Sequence, residues 1–144
     1  MELVSPYIIA AGIGWIVAQL SKYVVASFKL GKLASYRQLY LSGHMPSAHS
    51  ATTVALLTVV AALDGVQSGL FAVAFLFTCV VLYDAMMVRR SSGEQGVAIL
   101  ALLVEQKSKV KLPRVAMGHT PLEVAVGSLL GLIVGILVVY IHSL

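Results

Sequence analysis

Charged residues are scarce in this chain. Asp, Glu, Lys and Arg together make up 11% of it, against about 25% in an ordinary soluble domain. Only six of them are acids. So few polar groups argue against a water-soluble bundle, whose outer faces they would have to cover. Cysteine occurs once, at Cys79, which excludes an intramolecular disulfide and argues against a thiolate metal cluster. Lying inside an apolar run, Cys79 reads as a small buried hydrophobe. The first apolar run has neither a basic leading region nor a small-x-small cleavage site, so it reads as a retained membrane helix and not as a secretory signal.

Apolar sequence is what the chain has in plenty. Hydrophobic residues reach 59% and the mean hydropathy is +0.94. Four stretches approach the roughly 20 residues that cross a bilayer: Leu3 to Leu20, Pro46 to Leu63, Gly65 to Tyr83 and Val124 to Ile141. The second is the least secure, because Ser47, His49 and Ser50 occupy its first turn. A fifth apolar segment, Glu94 to Gln106, is too short to span and follows an apparent break at Ser91-Ser92-Gly93. The expected fold is all-α: a polytopic membrane helical bundle of about four transmembrane helices plus short interfacial or re-entrant helices, forming one domain over residues 1–144.

The cations are placed unevenly. All ten Lys and Arg fall between Lys22 and Arg37 or between Arg89 and Arg114. The positive-inside rule then puts both basic segments in the cytoplasm and both termini outside, as four spans require. Lys22, Lys29, Lys32 and Arg37 alternate with apolar residues, a pattern expected of an amphipathic surface helix. From this set Lys32 and Arg37 are accessory candidates for holding a phosphate. Lipid-facing snorkelling or topology is the plainer reading of each lysine.

Chemistry-bearing residues gather at two helix entrances. Ser42 to Ser50, SGHMPSAHS, leads from a polar loop into the second apolar run. Its Pro46-Ser47-Ala48-His49 tetrad puts a hydroxyl, an imidazole and unpaired N–H groups at the positive end of a helix dipole, which suits an oxyanion. Capping alone would account for the serines, and His44 is ambiguous. His49 is harder to dismiss, since an imidazole beside a membrane helix is costly unless solvated or paired. Gly118 to Glu123, GHTPLE, opens the last run in the same way. There His119 and Glu123 stand four residues apart, able to share a helix face and hydrogen-bond. Such a carboxylate fixes the tautomer of a nucleophilic or basic histidine; a structural His-Glu pair is the alternative. Asp84 precedes Arg89 and Arg90 at the end of the third run. This is either a structural ion pair or a carboxylate beside two guanidinium groups fit for phosphate. Gly127, Gly131 and Gly135 form a doubled GxxxG ladder for tight packing, within the chain or across a homo-oligomer.

With these residues in view, the chain resembles the divergent branch of the type 2 phosphatidic acid phosphatase (PAP2) superfamily, related to acid phosphatases and vanadium haloperoxidases. The resemblance rests on SGHMPSAHS, on Asp84 with VRRSSG, and on GHTPLEVAVG, and covers nearly the whole chain. The superfamily's Pro-Ser-Gly-His signature is met by Pro46-Ser47-Ala48-His49, with Ala48 for Gly. Its Ser-Arg-x5-His-x3-Asp signature is approached by Arg114-x4-His119-x3-Glu123, one residue short, with Glu for Asp and no Ser. The Lys-x6-Arg-Pro signature has no clean match: Lys32-x4-Arg37 has another spacing and lacks the proline, and Arg89 or Arg90 is the substitute clamp.

The resemblance implies that His119 is the nucleophile, Glu123 its orienting partner and His49 the general acid. Ser47, Arg89, Arg90 and Arg114 would bind phosphate, with Asp84 as an accessory. It implies a lipid phosphatase that needs neither metal nor cofactor, acting on a lipid or isoprenoid phosphate drawn from the membrane lipids on the cytoplasmic side. No nucleic-acid partner is expected. The alternatives are a non-catalytic membrane protein that binds anionic head groups or assembles through the glycine ladder, and a small-anion transporter in which Asp84 carries protons.

Overall fold

The computed structural model describes residues 4–35, 45–112, 115 and 117–144. These residues form α1 (Pro6–Leu30), α2 (Ala48–Leu63), α3 (Gly69–Tyr83), a π turn (Asp84–Val88), α4 (Arg89–Glu105) and α5 (Pro121–His142), with no strand among them. α2, α3 and α5 each start on a hydroxyl side chain that caps the helix. The Ser47 side chain accepts from the Ser50 N–H, Ser68 from Phe71, and Thr120 from Glu123. α1 runs beyond the expected surface boundary because nothing breaks it before Gly31, whose left-handed φ of 62° lets its N–H close on the Phe28 carbonyl. Lys22 and Lys29 therefore belong to α1, and not to a separate surface helix.

Ser91-Ser92-Gly93 does not interrupt the chain. α3, the π turn and α4 form one 37-residue helix, Gly69–Glu105. Serine and glycine each disfavour a helix by no more than about 1 kcal/mol, and no proline intervenes. The segment expected to lie apart as a short interfacial helix is thus the continuation of α3. At about 1.5 Å per residue the whole helix is about 55 Å long, well over the roughly 30 Å of bilayer hydrocarbon, so α4 extends past the bundle. α1, this long helix and α5 have the length and apolarity to cross a membrane. α2, the least secure span in the sequence, is the short one: its 16 residues rise about 24 Å.

α2 is the central helix, packed most extensively on α5, then on α1 and α3. The glycine ladder makes the α5 contact. A Cβ on Gly127 would stand 2.4 Å from the Ser47 carbonyl oxygen, and one on Gly131 2.3 Å from that of Ala51. At Gly135 it would meet the Thr58 Cβ at 2.5 Å and the Ala55 oxygen at 2.9 Å. Numbers rise together along both helices, so α2 and α5 run parallel with backbones nearly touching. α1 meets the same stretch of α2, with Ala10, Gly14, Ala18 and Lys22 as its buried stripe. A Cβ at Gly14 would lie 3.0 Å from the Ala51 oxygen.

The interior is made of alanine, glycine and valine, whereas the large side chains face outward. Leu76, Phe77, Val80, Ile133, Ile136 and Leu137 are all at least 48% exposed. That inversion belongs to a protein solvated by lipid, where tight small-residue packing replaces the hydrophobic drive between helices. Cys79 is exposed on this outer surface, not buried as its apolar setting predicted. Helix hydroxyls are satisfied locally: Thr52, Thr58 and Thr78 donate to carbonyls four residues back.

Gly131→Ala is expected to cost about 1–3 kcal/mol, because the Ala51 backbone cannot move away cheaply. Gly12→Ala, with open space around it, should cost nothing. Thermal unfolding of the two variants in detergent would check this.

Candidate functional site

Both polar helix entrances lie at one end of the bundle. The Ser47 N–H donates to the Glu123 carbonyl oxygen at 3.1 Å, joining the start of α2 to the first turn of α5. Both helix dipoles therefore present their positive ends at one level. Ser47 itself is fully buried, and its Oγ accepts from the Ser50 hydroxyl at 2.8 Å and from the Ser50 N–H. The hydroxyl thus serves the cap, the plainer of the two readings of this serine.

α5 begins at Pro121, not at His119. Thr120 is its N-cap and Glu123 closes a capping box. One carboxylate oxygen of Glu123 accepts from the Thr120 N–H at 3.0 Å and faces His119 Nδ1 at 3.2 Å. This pairing assigns the ring proton to Nδ1 and leaves the lone pair on Nε2. His119 is only 4% exposed. Its burial holds the imidazole below the ordinary histidine range; Glu123 pulls it back up, and the charges of Lys22 and Arg89 push it further down. At neutral pH the ring is uncharged and Nε2 is free to act as a base or nucleophile.

Three other elements supply the surrounding groups. His49, in the first turn of α2, is within Coulombic range of His119, Lys22, Arg89 and Asp84. Lys22 comes from α1, is 7% exposed, and feels the charge of Glu123. A buried ammonium is expensive without an anion near it, and Glu123 supplies that charge here. Arg89 forms an ion pair with Asp84. Arg90 turns away to pair with Glu94 at 3.2 Å.

The π turn governs which arginine meets Asp84, in a pair that stays partly exposed. Arg89 N–H donates to the carbonyl of Asp84, five residues back, where a regular α-helix would use that of Ala85. Ala85 is buried, and its carbonyl accepts instead from His119 N–H at 2.9 Å. The wider turn also lets Asp84 and Arg89, five residues apart, meet on one face. Gly118 packs against the same place: a Cβ there would lie 2.4 Å from Arg90 N and 2.8 Å from Arg89 C.

Of the residues singled out in the sequence, His49, His119, Glu123, Asp84 and Arg89 thus gather in one cluster. Ser47 supports it through the cap, and Arg90 contributes backbone. Lys32 lines a groove with Tyr23, Val24, Ser27, Phe28 and Leu33 that includes neither histidine. Arg37, Arg114 and His44 lie outside the described residues. Lys22 is the residue that reading by charge alone assigned to a surface stretch. Its signal was present: it continues the four-residue stripe of Ala10, Gly14 and Ala18.

The sequence model described as "Divergent PAP2 family" matches residues 3–134. The chain belongs to the divergent PAP2 family. Within it the chain is similar to the uncharacterized membrane protein YuiD of Bacillus subtilis (strain 168), at 32% identity over 97% of this chain and 98% of the relative. No solved structure matches it. The membrane character of that relative agrees with the apolar outer surface described above, and this divergent PAP2 protein is an integral membrane protein.

Glu123→Gln keeps the shape of the side chain but removes the charge that favours the imidazolium. The His119 titration should then move to lower pH, as NMR of histidine-labelled protein in micelles would record. In the native protein the depressed value also makes stability pH-dependent. The unfolded chain binds the proton more readily, so the contribution of His119 is present above about pH 6.5 and is lost as pH falls below it.

Proposed function

We propose that this divergent PAP2 protein is a membrane-embedded phosphatase that hydrolyses a lipid or isoprenoid phosphate monoester through a phosphohistidine at His119. The observation that carries this reading is the buried His119, its Nδ1 held by Glu123 and its Nε2 free, beside His49 and two cations from other helices. In the first step Nε2 attacks phosphorus and the bond to the alcohol oxygen breaks. His49 gives that oxygen its proton. In the second step His49 takes a proton from water, whose oxygen attacks phosphorus; inorganic phosphate leaves and His119 is restored.

Lys22 and Arg89 neutralise the equatorial oxygens as charge spreads over them, aided by the positive ends of α2 and α5. Arg89 exchanges its Asp84 partner for phosphate when substrate enters. The substrate arrives sideways from the bilayer and presents its head group at the end of the bundle that carries the basic segments. The positive-inside rule assigns that end to the cytoplasm. The Asp84–Arg89 pair favours a second reading, a non-catalytic site for anionic head groups in which Asp84 limits affinity.

Phosphate release from a panel of lipid phosphates, with and without vanadate, separates the two readings. His119→Ala should abolish release and vanadate inhibition together. Unchanged turnover in that variant would end the phosphatase reading, and head-group binding without any turnover in the native protein would establish the second. Lys22→Gln should weaken phosphate binding by about 10–100-fold, the value of a charge-assisted contact of roughly 1.5–3 kcal/mol, while leaving the Glu123–His119 contact intact. Inhibition by inorganic phosphate measures it.

A further inference from the structure

We infer that the π turn at Asp84–Val88, together with Gly118, is the positioning device that sets His119 and Arg89 in register with one another. The inference rests on the phosphatase reading for its purpose but on separate observations for its geometry. A π turn holds one residue more than the α-helix around it, and such insertions persist mostly where a function retains them. Here the extra residue has two local consequences. It withdraws Arg89 N–H from the Ala85 carbonyl, which leaves that buried acceptor for the backbone of His119. It also rotates Arg89 onto the face of Asp84, within Coulombic range of both histidines.

Were the segment to wind as a regular α-helix at its present length, Arg89 N–H would reclaim Ala85. His119 would lose its acceptor, and the Arg89 side chain would turn by about 100° about the helix axis. Nucleophile and clamp therefore depend on one backbone feature. Gly118 fixes the approach, since no side chain fits between its Cα and the backbone of Arg89 and Arg90. Ala85 and Gly118 touch no substrate; they act through His119.

Two variants of the full chain test this. Deleting Met87 converts the turn to a regular helix while keeping Arg89 N–H on the Asp84 carbonyl and Arg89 on its present face; Arg90 N–H then takes Ala85. Gly118→Ala leaves the helix intact and pushes the His119 segment off it. In both, kcat on a lipid phosphate should fall on the order of 100-fold, the usual result of misplacing a reacting group by about 1 Å. Inhibition by inorganic phosphate, which reads Lys22 and Arg89, should stay within about threefold in the deletion.

The readout independent of turnover is His119 itself. Its imidazole should titrate closer to a free histidine in both variants, and in the native chain its amide should be protected from hydrogen exchange. Unprotected exchange of that amide in the native chain would overturn the inference whether or not the variants fold. So would folded variants with unchanged kcat and unchanged His119 titration. If the native chain releases no phosphate but both variants still move the His119 titration, the phosphatase reading fails and the positioning role stands.

Discussion

Two parallel helices whose backbones nearly touch are the constraint from which the rest follows. α2 meets α5 where Gly127, Gly131 and Gly135 lie on the carbonyls of Ser47, Ala51 and Ala55, with no room for a methyl group. Lipid tails are as apolar as leucine, so the contact gains nothing from excluding water; it gains dispersion and dipole contacts at close range. Because the helices are parallel and in this register, both begin at the same level. The Ser47 N–H can then reach the Glu123 carbonyl. A shift of one turn along the ladder, about 5 Å, would separate the two entrances and their histidines.

That shared entrance concentrates polarity where an apolar bundle least tolerates it. Two helix N-termini, Lys22 and Arg89 bring positive charge to this end, and Asp84 and Glu123 among the clustered side chains oppose it. Each acid is already engaged, Asp84 with Arg89 and Glu123 with both His119 and the Thr120 N–H. The same burial that makes the Lys22 ammonium costly keeps His119 neutral, so both effects have one physical origin.

Membership of the divergent PAP2 family gives these features a context, and the departures from the wider superfamily have local explanations. Glu123 takes the place of the expected aspartate and also completes the α5 capping box, a role for which glutamate at the third helical position is suited. Ala48 stands where glycine is usual, within a first turn whose cap and buried contacts are intact. The long helix is unlike a simple span: it carries α4 beyond the bundle, where Gly96 packs close to Val115 just ahead of the His119 segment.

Much of this was written locally in the chain. Helix number followed from hydropathy, and the His119–Glu123 and Pro46-Ser47-Ala48-His49 groupings from spacing, although His119 precedes α5 and meets Glu123 across the capping box. Lys22 was read by its charge as a surface residue, and only the packing of α1 shows it continuing the buried stripe of Ala10, Gly14 and Ala18. Other features were settled only when helices met. Ser91-Ser92-Gly93 resembled a break but stayed helical, since weak propensities yield to a continuous neighbouring turn. Whether Arg89 or Arg90 meets Asp84 depends on one extra residue in a turn of ordinary composition. The sequence by itself determined the membrane helices and the side chains at their ends. The tertiary structure decided which of those ends share a level and which guanidinium pairs with Asp84, because both depend on backbone geometry that side-chain patterns do not encode.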